Sequence, residues 1–203
     1  MSDRSTPITL GLMGAPGSGK SLVASQMAAL GCVVIDSDAL AREALNEPQV
    51  LEKLAEWWGA KVITADSRVD RTALAKIVFN DNKQLKRLES LIHPRVHAQR
   101  AQLRQRALDR PDTLAIVEDS PLLLETGIDR DCDVLVFVDA PLEVRQARLA
   151  RTRGWGPQVL AGREKNQLPL DIKRERADYV ISNDAGEAHC LEQTRHVLSR
   201  ITQ

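Results

Sequence analysis

At 203 residues, with 43% hydrophobic and 28% charged side chains, the chain has the composition of one ordinary globular domain, with room for a small insertion. Lysine plus arginine and aspartate plus glutamate each number 28, and zero net charge argues against a surface made to coat nucleic acid or an anionic membrane. Cys32, Cys132 and Cys190 lie far apart without C-x-x-C spacing, which fits reduced thiols. No apolar run approaches the ~18 residues of a membrane span. The start MSDRSTPITL lacks the apolar centre of a secretory signal, so a cytoplasmic protein is expected.

In chain order, short apolar runs alternate with longer amphipathic ones. The runs ITLGLMG, CVVID, TLAIVED, DVLVFVD and DYVIS are continuous and rich in β-branched residues, the pattern of strands buried on both faces of a parallel sheet. Helical periodicity covers 20–30, 38–45, 49–57, 71–79, a pair of helices across 83–108, then 142–153 and 185–201. Pro94 falls inside that pair and is expected to open the second helix at its first turn. The alternation predicts a doubly wound α/β fold with a five-stranded parallel sheet. The nucleotide-binding core is expected at about 7–48, 111–144 and 178–203. A helical insertion at about 49–110 interrupts it, as does an Arg- and Lys-dense segment at about 145–177 that contains GWGP. Turn residues beside Trp155, flanked by basic helices, predict a hinged lid rather than core.

GAPGSGKS, residues 14–21, follows the first predicted strand and opens an Ala-rich helix. It satisfies G-x-x-x-x-G-K-[ST] through Gly14, Gly19, Lys20 and Ser21. Chance gives this pattern in about one chain of this length per hundred, so the strand–loop–helix context decides. The glycines permit a backbone path whose N–H groups point inward, and the helix N-terminus adds positive potential. Lys20 would reach the β/γ-phosphates and the Ser21 hydroxyl would ligate Mg²⁺. A dinucleotide loop fails on spacing, because Leu22 stands at the third glycine position. The P-loop reading stands.

A GTPase switch should carry D-x-x-G and N-K-x-D, and neither occurs. Instead Asp36, Asp38 and Arg42 cluster where the second strand ends, the edge at which open α/β sheets bind ligands. Either acid there could accept an alcohol proton; a helix N-cap is the plainer use of such a pair. A second acidic strand end, Glu118-Asp119, has the form of a Walker B strand whose acid helps hold Mg²⁺ or its waters. Arg145, Arg148, Arg151, Arg153 and Arg163 crowd the second insertion. Such a run is usually a solvated face, but beside a phosphate loop an arginine can stabilise a transferring phosphoryl group.

Beyond these motifs the chain resembles the dephospho-coenzyme A kinase family of P-loop enzymes. The likeness is carried by Gly17–Ser21, LGCVVIDSDALAR (30–42), VDRTALAKIVF (69–79), LIHPRV (91–96), EDSPLLLE (118–125), VFVDAP (136–141) and REKNQLPLDIKRERADYVISND (163–184). It implies transfer of the ATP γ-phosphate to the ribose 3′-hydroxyl of dephospho-coenzyme A, with ATP and Mg²⁺ required; a monomer is expected. By position, Asp38 resembles the general base and Arg148 the lid arginine that approaches the phosphates. The loop residues Gly14, Gly17, Ser18, Gly19, Lys20, Ser21 and Leu22 would hold nucleotide, and Asn183 would lie near adenine. The helical insertion would enclose the acceptor, with Arg42 and His93 binding it and His93 transferring no proton. Asp119 would join Ser21 at the metal, through water or directly. Four departures stand out: Ala15-Pro16 in the loop, Leu22 where a hydroxyl is common, Arg145 where Gln is usual, and Thr152-Arg153 where Arg and then a small polar residue are expected. The same fold with another small-molecule acceptor, and a nucleotide-binding regulator without turnover, are the rival readings.

Overall fold

The computed structural model describes residues 6–79, 81–165 and 167–202. It divides into two compact units, Met1–Asp36 with Arg104–Gln203, and Ser37–Leu103.

The first unit is built on five parallel strands: β1 (Ile8–Gly14), β2 (Val33–Asp36), β3 (Ala115–Asp119), β4 (Val134–Asp139) and β5 (Tyr179–Ser182). Their order, β2-β3-β1-β4-β5, places β1 in the middle, so the chain leaves it in one direction and later returns on its other side. Such a reversal opens a crevice beyond the carboxyl ends of the central strands. Leu10 and Leu12 of β1 point to one face. There Val23, Ala24 and Met27 of α1 (Lys20–Ala29) meet Cys190, Val197, Leu198 and Ile201 of α9 (Glu187–Ile201). Met13 points the other way, into a cluster with Leu123, Leu124, Ile128 and Phe137. Helices or loops therefore cover both faces, as the continuous apolar runs require. Carboxylates pin the strand starts: Asp133 Oδ2 accepts from Thr9 N and Asp178 Oδ2 from Leu135 N, each at 2.8 Å. Burial pushes the Cys32 thiol up to about 11 and raises that of Cys190, so both remain protonated and unreactive near neutrality.

Three further helices complete this unit: α6 (Leu142–Arg153), α7 (Pro157–Glu164) and α8 (Leu170–Glu175). Lys173 of α8 is only 1% exposed. Its ammonium pairs with Glu125 at 2.9 Å and donates to Pro121 O and Gln167 Oε1. Glu125 Oε1 also accepts from Leu168 N at 2.7 Å. One carboxylate thus ties the loop after β3 to the segment leading into α8.

The second unit packs α2 (Ser37–Ala44), α3 (Pro48–Trp58), α4 (Arg71–Val78) and the larger part of α5 (Asn82–Leu108) around Ala44, Val50, Leu54, Val62, Leu74 and Ile92. Pro48 starts α3 where a missing N–H costs nothing, and the Asp70 side chain caps α4 by accepting from Thr72 N and Ala73 N. The sequence pattern predicts two helices across 83–108, with Pro94 opening the second. The structure has one helix of 27 residues with Pro94 inside it. Proline removes a hydrogen bond to the preceding turn. Here Arg95 Nη1 donates to Leu91 O at 2.7 Å, within that turn, while its Nε binds Glu47 Oε2 at 3.1 Å. Ile92 is buried in the core beneath the same turn. Packing of Ile92 and its neighbours carries the helix through. No described helix is long and apolar enough to cross a membrane.

Glu125→Ala strands the buried Lys173 ammonium on two neutral acceptors. Loss of about 3 kcal/mol in urea unfolding is expected, with a smaller loss for Glu125→Gln. Equal stability of wild type and Glu125→Ala would show that the pair contributes nothing.

Candidate active site

The loop between β1 and α1 closes on itself through Ser18 N donating to Ala15 O at 3.0 Å, and α1 begins with Leu22 N and Val23 N donating to Gly19 O. Gly17 and Gly19 have φ of +80° and +91°, values a side chain resists. Space forbids one as well. A Cβ on Gly17 would meet Arg145 O at 2.8 Å, and one on Gly19 would overlap the Asn183 amide nitrogen. The loop is therefore gripped from outside by α6 and by the residue following β5.

Ser18 is fully buried, and its carbonyl accepts from Asn183 Nδ2 at 2.8 Å and from Arg148 Nη1 at 3.3 Å. Arg148 Nη2 donates in turn to Asn183 O at 2.9 Å. Arg145, also buried, donates to Ala140 O at 3.2 Å, to Pro16 O at 3.5 Å and to Glu164 Oε1 at 2.6 Å. Two outward-facing loop carbonyls, those of Pro16 and Ser18, thus receive guanidinium donors from α6.

Lys20, the first residue of α1, makes an ion pair with Asp119, the last residue of β3. Asp119 is registered against Leu12 of β1 and Asp36 of β2, so two acids end neighbouring strands at the edge that carries the loop. Glu118, one residue earlier, points to the opposite face and is buried. Ser21 is exposed on the first turn of α1. A hydroxyl and a carboxylate are hard oxygen donors of the kind Mg²⁺ takes alongside water and nucleotide phosphates. Among the described residues no three His, Cys, Asp or Glu side chains converge as a cage. A metal carried on phosphates needs only one or two protein oxygens. The donor set fits.

Asp38, Arg42 and His93 fall in the second unit, and all three are exposed. Asp38 lies in the first turn of α2, where an acid is favoured by the helix dipole, and Arg42 follows one turn later on the same face.

The sequence profile described as "Dephospho-CoA kinase" matches residues 8–189. The chain belongs to the dephospho-CoA kinase family. It is 37% identical over 182 residues to the dephospho-CoA kinase of Thermobifida fusca, covering 89% of each chain. It is 39% identical over 186 residues to that of Deinococcus radiodurans, covering 92% of this chain and 88% of the relative. The crystal structure of TT1252 from Thermus thermophilus superposes with a TM-score of 0.81 at 35% identity, covering 98% of this chain and 100% of that one.

Two departures from the family pattern have structural explanations. Leu22 is half-buried and packs against the core beneath α1, so its position is used for packing. In the sequence Arg145 stands out only as one of a basic run and as a departure from Gln. Its signal was spacing: Leu149, buried, lies four residues on, which puts Arg145 on the inward face of α6. Arg151 and Arg153 of the same run are exposed, and Arg153 lies over the Trp155 ring at 4.9 Å. The Glu125–Lys173 pair also escaped sequence reading, because its partners lie on separate segments.

Gly19→Ala combines an unfavourable φ with a steric overlap. It should lower stability by about 1–3 kcal/mol and remove detectable nucleotide binding, read by thermal melting and by titration with ATP. Gly31 has φ +99° and only an ordinary contact at 3.6 Å for an added Cβ. Gly31→Ala therefore carries the dihedral cost alone and should leave binding intact.

Proposed function

We propose that this chain transfers the γ-phosphoryl group of ATP to the ribose 3′-hydroxyl of dephospho-coenzyme A, giving coenzyme A and ADP. The observation that carries this reading is family membership across residues 8–189, reinforced by a phosphate loop whose lysine already meets the acid at the end of β3.

In this reading the loop from Gly14 to Leu22 wraps the polyphosphate with its N–H groups, and Lys20 exchanges Asp119 for the β/γ-phosphates. Mg²⁺, held by Ser21 and Asp119 directly or through water, would neutralise charge developing on the bridging oxygens. Asp38 accepts the proton of the attacking hydroxyl, and its exposed position leaves it open to an incoming alcohol. Arg42 and His93 bind the acceptor, and His93 transfers no proton. Arg148, joined to Ser18 and Asn183, sets cationic charge beside the loop. Asn183 serves nucleotide binding. The arginine-rich segment at about 145–177 closes over the phosphates. Three free cysteines, two buried with raised pKa, support a reducing cytoplasmic location. The working unit is a monomer.

ADP release from Mg·ATP, followed in a coupled assay, should depend on added dephospho-coenzyme A. Release with a nucleoside monophosphate and none with dephospho-coenzyme A would replace the acceptor and overturn the reading. Asp38→Asn should lower kcat by about 10²–10⁴ with little change in the KM for ATP. Near-normal turnover would remove Asp38 from the role of base. Lys20→Ala should abolish transfer while the fold, followed by circular dichroism, persists.

A further inference from the structure

Asn183 is 2% exposed, and its polar groups are engaged within the protein. Its backbone N donates to Asp139 O at 2.8 Å. Its Nδ2 donates to Ser18 O at 2.8 Å, its backbone O accepts from Arg148 Nη2 at 2.9 Å, and its Oδ1 accepts from the same nitrogen at 3.4 Å. Such an amide is committed to the loop and is poorly placed to read a nucleotide base.

What this contact controls follows from peptide geometry. The Ser18–Gly19 bond is trans, so its C=O and N–H point in opposite directions. Donors that pin Ser18 O on the outside of the loop therefore aim Gly19 N–H at the inside, where a phosphate oxygen would accept it. Gly19 cannot secure that orientation itself. With φ of +91° it occupies one of two mirror-related wells that glycine fills about equally, so rotating this peptide plane costs the glycine little. The Asn183 amide rests against the Gly19 Cα, where a Cβ would overlap it, and holds the plane from one side. Arg148 is the second donor to the same oxygen.

We infer that Asn183 is a positioning residue of the phosphate loop: it fixes the Ser18–Gly19 peptide so that Gly19 N–H faces the polyphosphate, and it serves nucleotide binding through the loop and not through the base. This rests on the kinase reading in supposing that polyphosphate occupies the loop.

A base-free probe tests it. Inorganic tripolyphosphate offers the phosphate chain without adenine. Asn183→Asp keeps the shape of the side chain but replaces the donor with an acceptor that repels Ser18 O. The expected result is that affinities for tripolyphosphate and for ATP, both measured by calorimetry on the full chain, fall by the same factor, about ten-fold. The KM for dephospho-coenzyme A should stay within about two-fold, a change no larger than a few tenths of a hydrogen bond's worth. Asn183→Ser, which shortens the reach without adding charge, carries the same expectation should the aspartate variant not fold. Unchanged tripolyphosphate binding overturns the inference, whether ATP binding is kept or lost; a loss confined to ATP would make Asn183 a base contact. A loss shared equally with dephospho-coenzyme A would mark general collapse and overturn it too. If the wild-type chain binds neither ATP nor tripolyphosphate, it is the kinase reading that fails.

Discussion

A loop that turns its N–H groups inward to hold a polyanion must turn carbonyl groups outward, and those carbonyls need donors of their own. The rest of the site depends on how that demand is met. Ser18 O is served by Asn183 and Arg148, and Pro16 O by Arg145. The donors come from α6 and from the residue after β5, elements contributed more than a hundred residues later in the chain. The phosphate cradle is therefore a local sequence motif that only the completed sheet can hold in shape. The +91° at Gly19 and the close approach of Asn183 are two consequences of one arrangement.

The sheet supplies the second half of the constraint. Because β1 is central and flanked by β3 and β4, the loop leaves the sheet where the chain's connections diverge. Parallel register then brings Asp36 and Asp119 to the same edge, one on each of two neighbouring strands. Lys20 reaches Asp119 directly, so the cation we propose to meet phosphate has an anionic partner inside the protein. Pairing with Asp119 limits the cost of holding a lysine at a partly buried site. A polyphosphate with its metal would replace one ionic partner with another, which is an exchange and not the burial of a new charge.

Strands and loop were legible in the sequence because both are written in short contiguous patterns. All five apolar runs became strands with ends shifted by two residues or fewer, and the glycine spacing placed the loop correctly. The failures share a different character. The local rule for Pro94 loses to tertiary packing, with Ile92 buried in the turn beside it. Arg145 reads in the sequence as one of a basic run, and Lys173 as one residue of a family-like block, yet both are buried and each meets an acid on another segment. Composition marks a charge. It does not mark the partner that allows the charge to be buried.

Those two buried cations also explain how the segment from α7 to α8 is held. The buried residues within its helices are Leu160 and Lys173, while Leu168 and Leu170 pack only partly against the cluster around Phe137. Hydrophobic burial there is thin, and much of the anchorage falls to Arg145–Glu164 at one end and Lys173–Glu125 at the other. Ion pairs of this kind give little net stability, since desolvation offsets much of the attraction, but they fix direction and register. A segment secured in this way is held in one seated position. Its Arg145 anchor also touches Pro16 O, so displacement of α7 would be felt at the phosphate loop through a single side chain.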